Sequence, residues 1–198
     1  LDKKNKLKKV CFATVRRIIL LIMKNTAIII PTRLGAQRFP NKPLAKINNL
    51  PMIIHVLNRA KESKVGEVFV ATPDKEIIEV VKKNGGKAVL TKSSHTSGSD
   101  RVYEVYANEL KNKKSFDLII NLQGDMPNIK PNSISKLAKL MSNKDCDIGT
   151  LASNIKNKKD MTNPNIVKVN TDQTLTKDSF LLAKDFFRIK NDLDNEKI

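Results

Sequence analysis

Cationic side chains gather in one short stretch, Pro31-Thr32-Arg33-Leu34-Gly35-Ala36-Gln37-Arg38-Phe39-Pro40-Asn41-Lys42-Pro43-Leu44, directly after an apolar run. Arginine forks pair bidentately with phosphate oxygens, and a lysine adds a point charge beside the same group. Pro40 and Pro43 restrict the chain around Lys42, which lowers the entropy lost when a polyanion orders it. The stretch contains neither GxxxxGK[ST] nor GxGxxG, so it is not a Walker loop or a dinucleotide fingerprint. It reads either as a phosphate-binding loop or as a solvated basic loop. A second group, Asn121-Leu122-Gln123-Gly124-Asp125, ends another apolar run with a carboxylate. Mg²⁺ is commonly held by one or two carboxylates together with substrate phosphates, and Asp125 suits that role; Gly-Asp is also an ordinary turn. The third group is His95-Thr96-Ser97-Gly98-Ser99-Asp100-Arg101. Its hydroxyls and backbone groups suit reading of a base or ribose, and Ser99 or Asp100 equally suits capping of a helix. His55 and His95 have no second His or Cys at ligand spacing, so zinc is not expected. GxSxG is absent too.

Alternating elements must hold these groups. The run Ala27–Ile30, closed by Pro31, reads as a strand buried on both faces. A helix over Met52–Ala60 carries Ile53, Val56, Leu57 and Ala60 on one side, with Pro51 at its start. Strands are expected at Val68–Ala71, Ala88–Leu90 and Asp117–Leu122, and helices at Lys75–Lys83, Asp100–Leu110 and Ser133–Met141. Asp74 is the expected cap of the second helix, and Gly85-Gly86 its stop. Ile148–Ala152 and Ile166–Val169 are expected to close the series as strands, and Phe180–Phe187 to form a helix. The alternation predicts a three-layer α/β fold, a mainly parallel sheet with helices on both faces. Ligands of such sheets bind beyond the carboxyl ends of the strands, which is where all three groups fall.

Composition narrows the classes. The 198 residues carry 37 Lys+Arg against 20 Asp+Glu, a net charge of +17. Residues 1–24 hold eight of those basic residues and one acid, Asp2. The remaining lysines are scattered among Asn and Ser, and there is no Trp. Nucleic-acid binding is therefore not expected; a solvated surface or attraction of an anionic small substrate is. The two cysteines, Cys11 and Cys146, do not make a disulfide scaffold and fit a reducing compartment. No apolar span approaches the roughly 18 residues of a membrane helix. Residues 1–22 are expected to be a non-native or disordered basic leader, with Met23 the natural start. Residues 23–198 are expected to form the functional domain.

In this order, the three groups resemble the 3-deoxy-manno-octulosonate cytidylyltransferase family. Ile30–Leu44 matches its I-P-A-R-x-x-S-T-R-L-P-G-K-P-L motif, and Leu50–Val56 its K-P-M-I-x-H-V helix. Ala71–Asp74, Gly85–Arg101, Leu122–Pro127 and Asn163–Val169 match its later motifs, so the likeness spans about residues 27–169. The resemblance implies a nucleotide-diphospho-sugar transferase-like, Rossmann-like fold. It implies a cytoplasmic reaction of CTP with 3-deoxy-D-manno-octulosonate (Kdo) that supplies lipopolysaccharide synthesis, with Mg²⁺ as cofactor and full-length members homodimeric. By position, Arg33, Arg38 and Lys42 would hold the triphosphate and Asp125 the metal. Ser97, Gly98, Asp100, Arg101 and Gln123 would line the nucleotide or sugar pocket, and Asn165 and Lys168 would face the sugar acid. The sequence departs from the pattern at Ala36-Gln37, at Asn41 in place of a Gly, and at Met126 in place of an acid. The family's later G-V-D-T-P-like motif, whose Asp completes metal binding, is not found before Ile198. The domain is therefore expected to lack its C-terminal part, with activity impaired.

Overall fold

The computed structural model describes residues 25–35, 40–110, 116–143, 146–176 and 180–189. The expectations for the leader and for Arg38 lie outside the described residues. The chain divides into two compact units, residues 1–148 and 149–198.

The first unit is built around β1 (Thr26–Pro31), whose six residues are all buried. Alternate side chains of a strand face opposite ways, and β1 supplies two cores accordingly. Ile28 and Ile30 join Val68 and Val70 of β4 (Glu67–Thr72) on one face. They pack there with α1 (Met52–Glu62), α2 (Lys75–Lys83) and α4 (Pro131–Asn143). Ala27 and Ile29 join Phe69 and Ala71 on the other face, against Val102 and Val105 of α3 (Gly98–Val105). The sheet orders as β5 (Lys87–Leu90), β4, β1, β6 (Leu118–Asn121), and every pairing in it is parallel. This is the expected three-layer arrangement. A two-residue pair, β2 (Lys46–Ile47) and β3 (Leu50–Pro51), precedes α1. It turns through Asn48 and Asn49, both at positive φ as a tight hairpin requires.

Because the strands are parallel, their carboxyl ends share one edge. Ladder bonds continue past the strands there: Thr32 N–H donates to Ala71 O (2.9 Å), Thr91 N–H to Thr72 O (2.9 Å) and Leu122 N–H to Ile29 O (3.0 Å). The loops that follow all four strands therefore start side by side.

The second unit departs from expectation. Residues 148–152 form no strand, and Ile148 and Leu151 are exposed. The segment expected to end the parallel series is instead β7 (Lys168–Thr171), paired antiparallel with β8 (Ala183–Phe187) in a separate ribbon. The apolar residues of 180–187 fit a helix or a strand equally by spacing. Pairing with β7, which no local pattern encodes, settles the matter. A short helix, α5 (Lys158–Met161), precedes β7 in the chain.

Candidate active site

The loop after β1 is pinned at several points. Leu34 N–H donates to the Asp74 carboxylate (2.8 Å), and Asn41 N–H to Leu34 O (3.2 Å). Asp74 occupies the cap position of α2 as expected, yet its side chain makes no capping bond and serves the neighbouring loop instead. Asn41 sits at φ 57°, a left-handed conformation. That accounts for the Gly at this point of the family motif, and Asn tolerates the region better than most side chains. A 3-10 turn, Lys42–Leu44, follows with Pro43 buried, so the backbone under Lys42 is fixed.

The turn after β6 lies against this loop. A Cβ on Gly124 would sit 2.9 Å from Pro31 O and 3.1 Å from Thr32 Cβ, so only glycine fits without displacement. Gln123 Nε2 donates to Asn121 Oδ1 (2.9 Å). One residue beyond Gly124, the Asp125 carboxylate accepts from Lys42 Nζ at 2.9 Å. The cation and the carboxylate that the sequence places 83 positions apart therefore meet.

The third wall is the connection from β5 to α3. Ser97 caps α3, two residues before the earlier of the two expected caps. Its hydroxyl accepts from Asp100 N–H (3.1 Å), while Asp100 Oδ2 accepts from Ser97 N–H (3.3 Å) and Ser97 Oγ (2.7 Å). These bonds hold the Asp100 carboxyl below its ordinary pKa, the Ser97 hydroxyl contributing most. Arg101 is buried, with Nη1 donating to Thr91 Oγ1 and to Lys92 O (3.1 Å). Burial, then the nearby Arg33 charge, lower its pKa from the ordinary value. His95 Nε2 lies 2.5 Å from Glu104 Oε2, and Lys92 N–H donates to the same carboxylate oxygen (3.0 Å).

These three walls enclose a cleft of about 290 Å³. Of the residues singled out in the sequence, Arg33, Lys42, Ser97, Gly98, Arg101, Gln123 and Asp125 line it. Asp100 is not among the lining residues; its carboxylate bonds back to Ser97 at the start of α3. Asn165 and Lys168 belong to the second unit. There Lys168 is buried, and its Nζ donates to Asn163 O (2.6 Å) and Arg188 O. Thr32, Met52, His95, Thr96 and Gly124 also line the cleft; none of them is among the residues to which the family resemblance assigns a role. For His95 a signal existed: Glu104 lies one helical turn beyond Arg101, on the same face of α3.

Among the described residues no group of three or more His, Cys, Asp or Glu is arranged to hold a metal ion. Asp125 is 56% exposed, and a lone accessible carboxylate fits a metal that arrives already bound to phosphates. Nor, among the described residues, is any helix long and apolar enough to cross a membrane.

A parallel sheet between two helical layers, whose carboxyl edge gathers cations, a carboxylate and a capped helix around a cleft, defines an α/β protein with a ligand-sized site at its strand ends. Comparisons with known proteins agree. The family profile described as Cytidylyltransferase matches residues 27–195. The 3-deoxy-manno-octulosonate cytidylyltransferase of Thermodesulfovibrio yellowstonii is 49% identical over 148 residues, 73% of this chain and 58% of that protein. The enzyme of the same name from Brucella canis is 44% identical over 144 residues, 73% of this chain and 57% of that protein. Among solved structures, CMP:2-keto-3-deoxy-manno-octonic acid synthetase complexed with CTP superposes with a TM-score of 0.68 at 32% identity. That match covers 88% of this chain and 69% of the other. The chain belongs to the cytidylyltransferase family, and the curated relatives compared above are 3-deoxy-manno-octulosonate members of it. It spans somewhat under three-fifths of the length of those curated relatives (58% and 57%).

Proposed function

We propose that the cleft binds CTP and serves transfer of its cytidylyl group to the anomeric hydroxyl of Kdo, releasing pyrophosphate for a cytoplasmic lipopolysaccharide route. The observation that carries this reading is the meeting of Lys42 and Asp125 at 2.9 Å, at the carboxyl ends of β1 and β6. In this reaction the sugar oxygen attacks the α-phosphorus and the bond to the β-phosphate bridging oxygen breaks, so negative charge grows on the leaving pyrophosphate. Lys42 and Arg33 would neutralise that charge from fixed positions, and Arg38 would join them from the same loop. Ser97, Gly98 and Gln123 would hold the nucleoside, orienting the α-phosphorus toward the acceptor. Asp125 would hold Mg²⁺ brought in with the triphosphate; when bound, the ion offsets phosphate charge. Asn165 and Lys168 would face the sugar acid. The Lys168 ammonium is engaged by two backbone carbonyls, which supports Asn165 over Lys168 for that contact.

The test is calorimetric binding of CTP, UTP and GTP to the full chain with and without Mg²⁺, paired with pyrophosphate release in the presence of Kdo or other sugar acids. CTP is expected to bind best, Mg²⁺ to strengthen it, and Kdo to be the acceptor that releases pyrophosphate. Indifference to the base, or a better rate with another sugar acid, would replace this reading with that of a different nucleotidyltransferase.

A further inference from the structure

We infer that Glu104 is a positioning residue that fixes the His95 ring and the 91–97 connection as one preformed wall of the cleft; this rests on reading the cleft as a nucleotide site. His95 lines the cleft, whereas Glu104 does not, so Glu104 acts through its neighbour. Their side chains are only 20% and 15% exposed, and the 2.5 Å separation is that of a short charge-assisted bond. The same carboxylate oxygen takes the Lys92 N–H at 3.0 Å, while Arg101 takes the Lys92 carbonyl at 3.1 Å. Both backbone polar groups of Lys92 are thus satisfied by two side chains spaced i, i+3 on α3. An irregular connection is ordinarily the soft part of such a fold. Here a helix face grips it at Thr91, Lys92 and His95.

The bond also dictates the state of the ring. Burial alone would raise the Glu104 pKa, but the Lys92 N–H and the His95 ring outweigh it and hold the carboxyl below its ordinary value. An ionised carboxylate only accepts, so His95 Nε2 carries a proton and donates. His95 is then held in one rotamer before any ligand arrives, which spares the ligand the entropy of ordering it.

The chain has two histidines, so imidazole ¹⁵N–¹H spectra of the ligand-free full chain resolve them, with His55→Gln assigning the pair. In the parent, His95 is expected to show a protonated Nε2 in a single ring environment. Glu104→Ala should abolish that preference and weaken CTP binding at least tenfold, while Glu104→Gln, which keeps an acceptor, stays within threefold. An unchanged His95 spectrum in Glu104→Ala, or unchanged CTP affinity when the parent binds CTP, would overturn the inference. If the alanine variant fails to fold, CTP titration of the parent decides instead. His95 resonances should move while those of His55 stay, and the reverse sinks the inference. A parent that binds no CTP overturns the proposed function, whereas the ligand-free spectra still decide whether Glu104 holds the ring.

Discussion

Lys42 and Asp125 approach to 2.9 Å with side chains 37% and 56% exposed. Ion pairs this open contribute about 0–1 kcal/mol to stability, so the pair holds the two loops together only weakly. Its value is exchangeability: a phosphate oxygen can replace the carboxylate as partner of the ammonium at little loss. Lys42→Met is therefore expected to change the unfolding free energy by no more than ~1 kcal/mol. It should weaken CTP binding at least about tenfold, near 1.4 kcal/mol. Urea unfolding beside titration calorimetry separates the two effects; a large stability loss with intact binding would refute the assignment. Arg101 behaves oppositely, because it is buried and bonded to Thr91 and the Lys92 carbonyl. Arg101→Met leaves those acceptors unpaired, and a stability loss of about 1–3 kcal/mol is expected from urea midpoints.

Helix α3 is the element on which the cleft depends most, and its attachment relies on two ionised carboxylates. Asp100 closes the capping box with Ser97, and Glu104 holds Lys92 and His95. Both have pKa values lowered in the folded protein. Each contribution is thus complete above the unfolded carboxylate range, roughly pH 4, and disappears as pH falls through the lower folded values. Amide exchange at the start of α3 should accelerate on acidification in that window, and Asp100→Asn should remove part of the dependence. An exchange rate at those amides independent of acidity would contradict the linkage. The helix itself was legible in the sequence to within a few residues, as were β1, α1 and α2, because apolar spacing and Pro or Gly punctuation are local signals. Its cap was not, and neither was the use of Asp74, since a carboxylate's choice between its own helix and the Leu34 N–H is made by the neighbouring loop. The same limit applies at Asn41, where the sequence shows a departure from Gly and only the backbone, at φ 57°, shows why Asn is tolerated.

Stability is unevenly distributed over the molecule. Both apolar clusters lie within residues 1–148, and β1 alone places Ala27, Ile28, Ile29 and Ile30 at 0% exposure. Among the described residues beyond 148, no apolar side chain is buried, and Lys168 is the one buried residue. Leu182 at 77%, Val167 at 54% and Phe186 at 54% stay open to water in and around the β7–β8 ribbon. A two-stranded ribbon without a covered face is marginal by itself. This is also where sequence reading failed, for a related reason: with no core to face, the apolar residues of 148–152 and 180–187 carry no reliable period. The first unit, whose strands face two cores, was legible in its strand positions and in the convergence of its loops. Opening free energies should follow the same division, because regions with few buried apolar contacts open most readily. Limited proteolysis of the full chain is therefore expected to cut within 149–189 well before it cuts within the sheet of the first unit. The early product should end near residue 148 and retain the Arg33, Lys42 and Asp125 cleft, which lies wholly in that unit. Mass spectrometry of the time course would show the order of cuts. Protection of the β7–β8 segment equal to that of β1 would mean that its exposed apolar face is covered in solution.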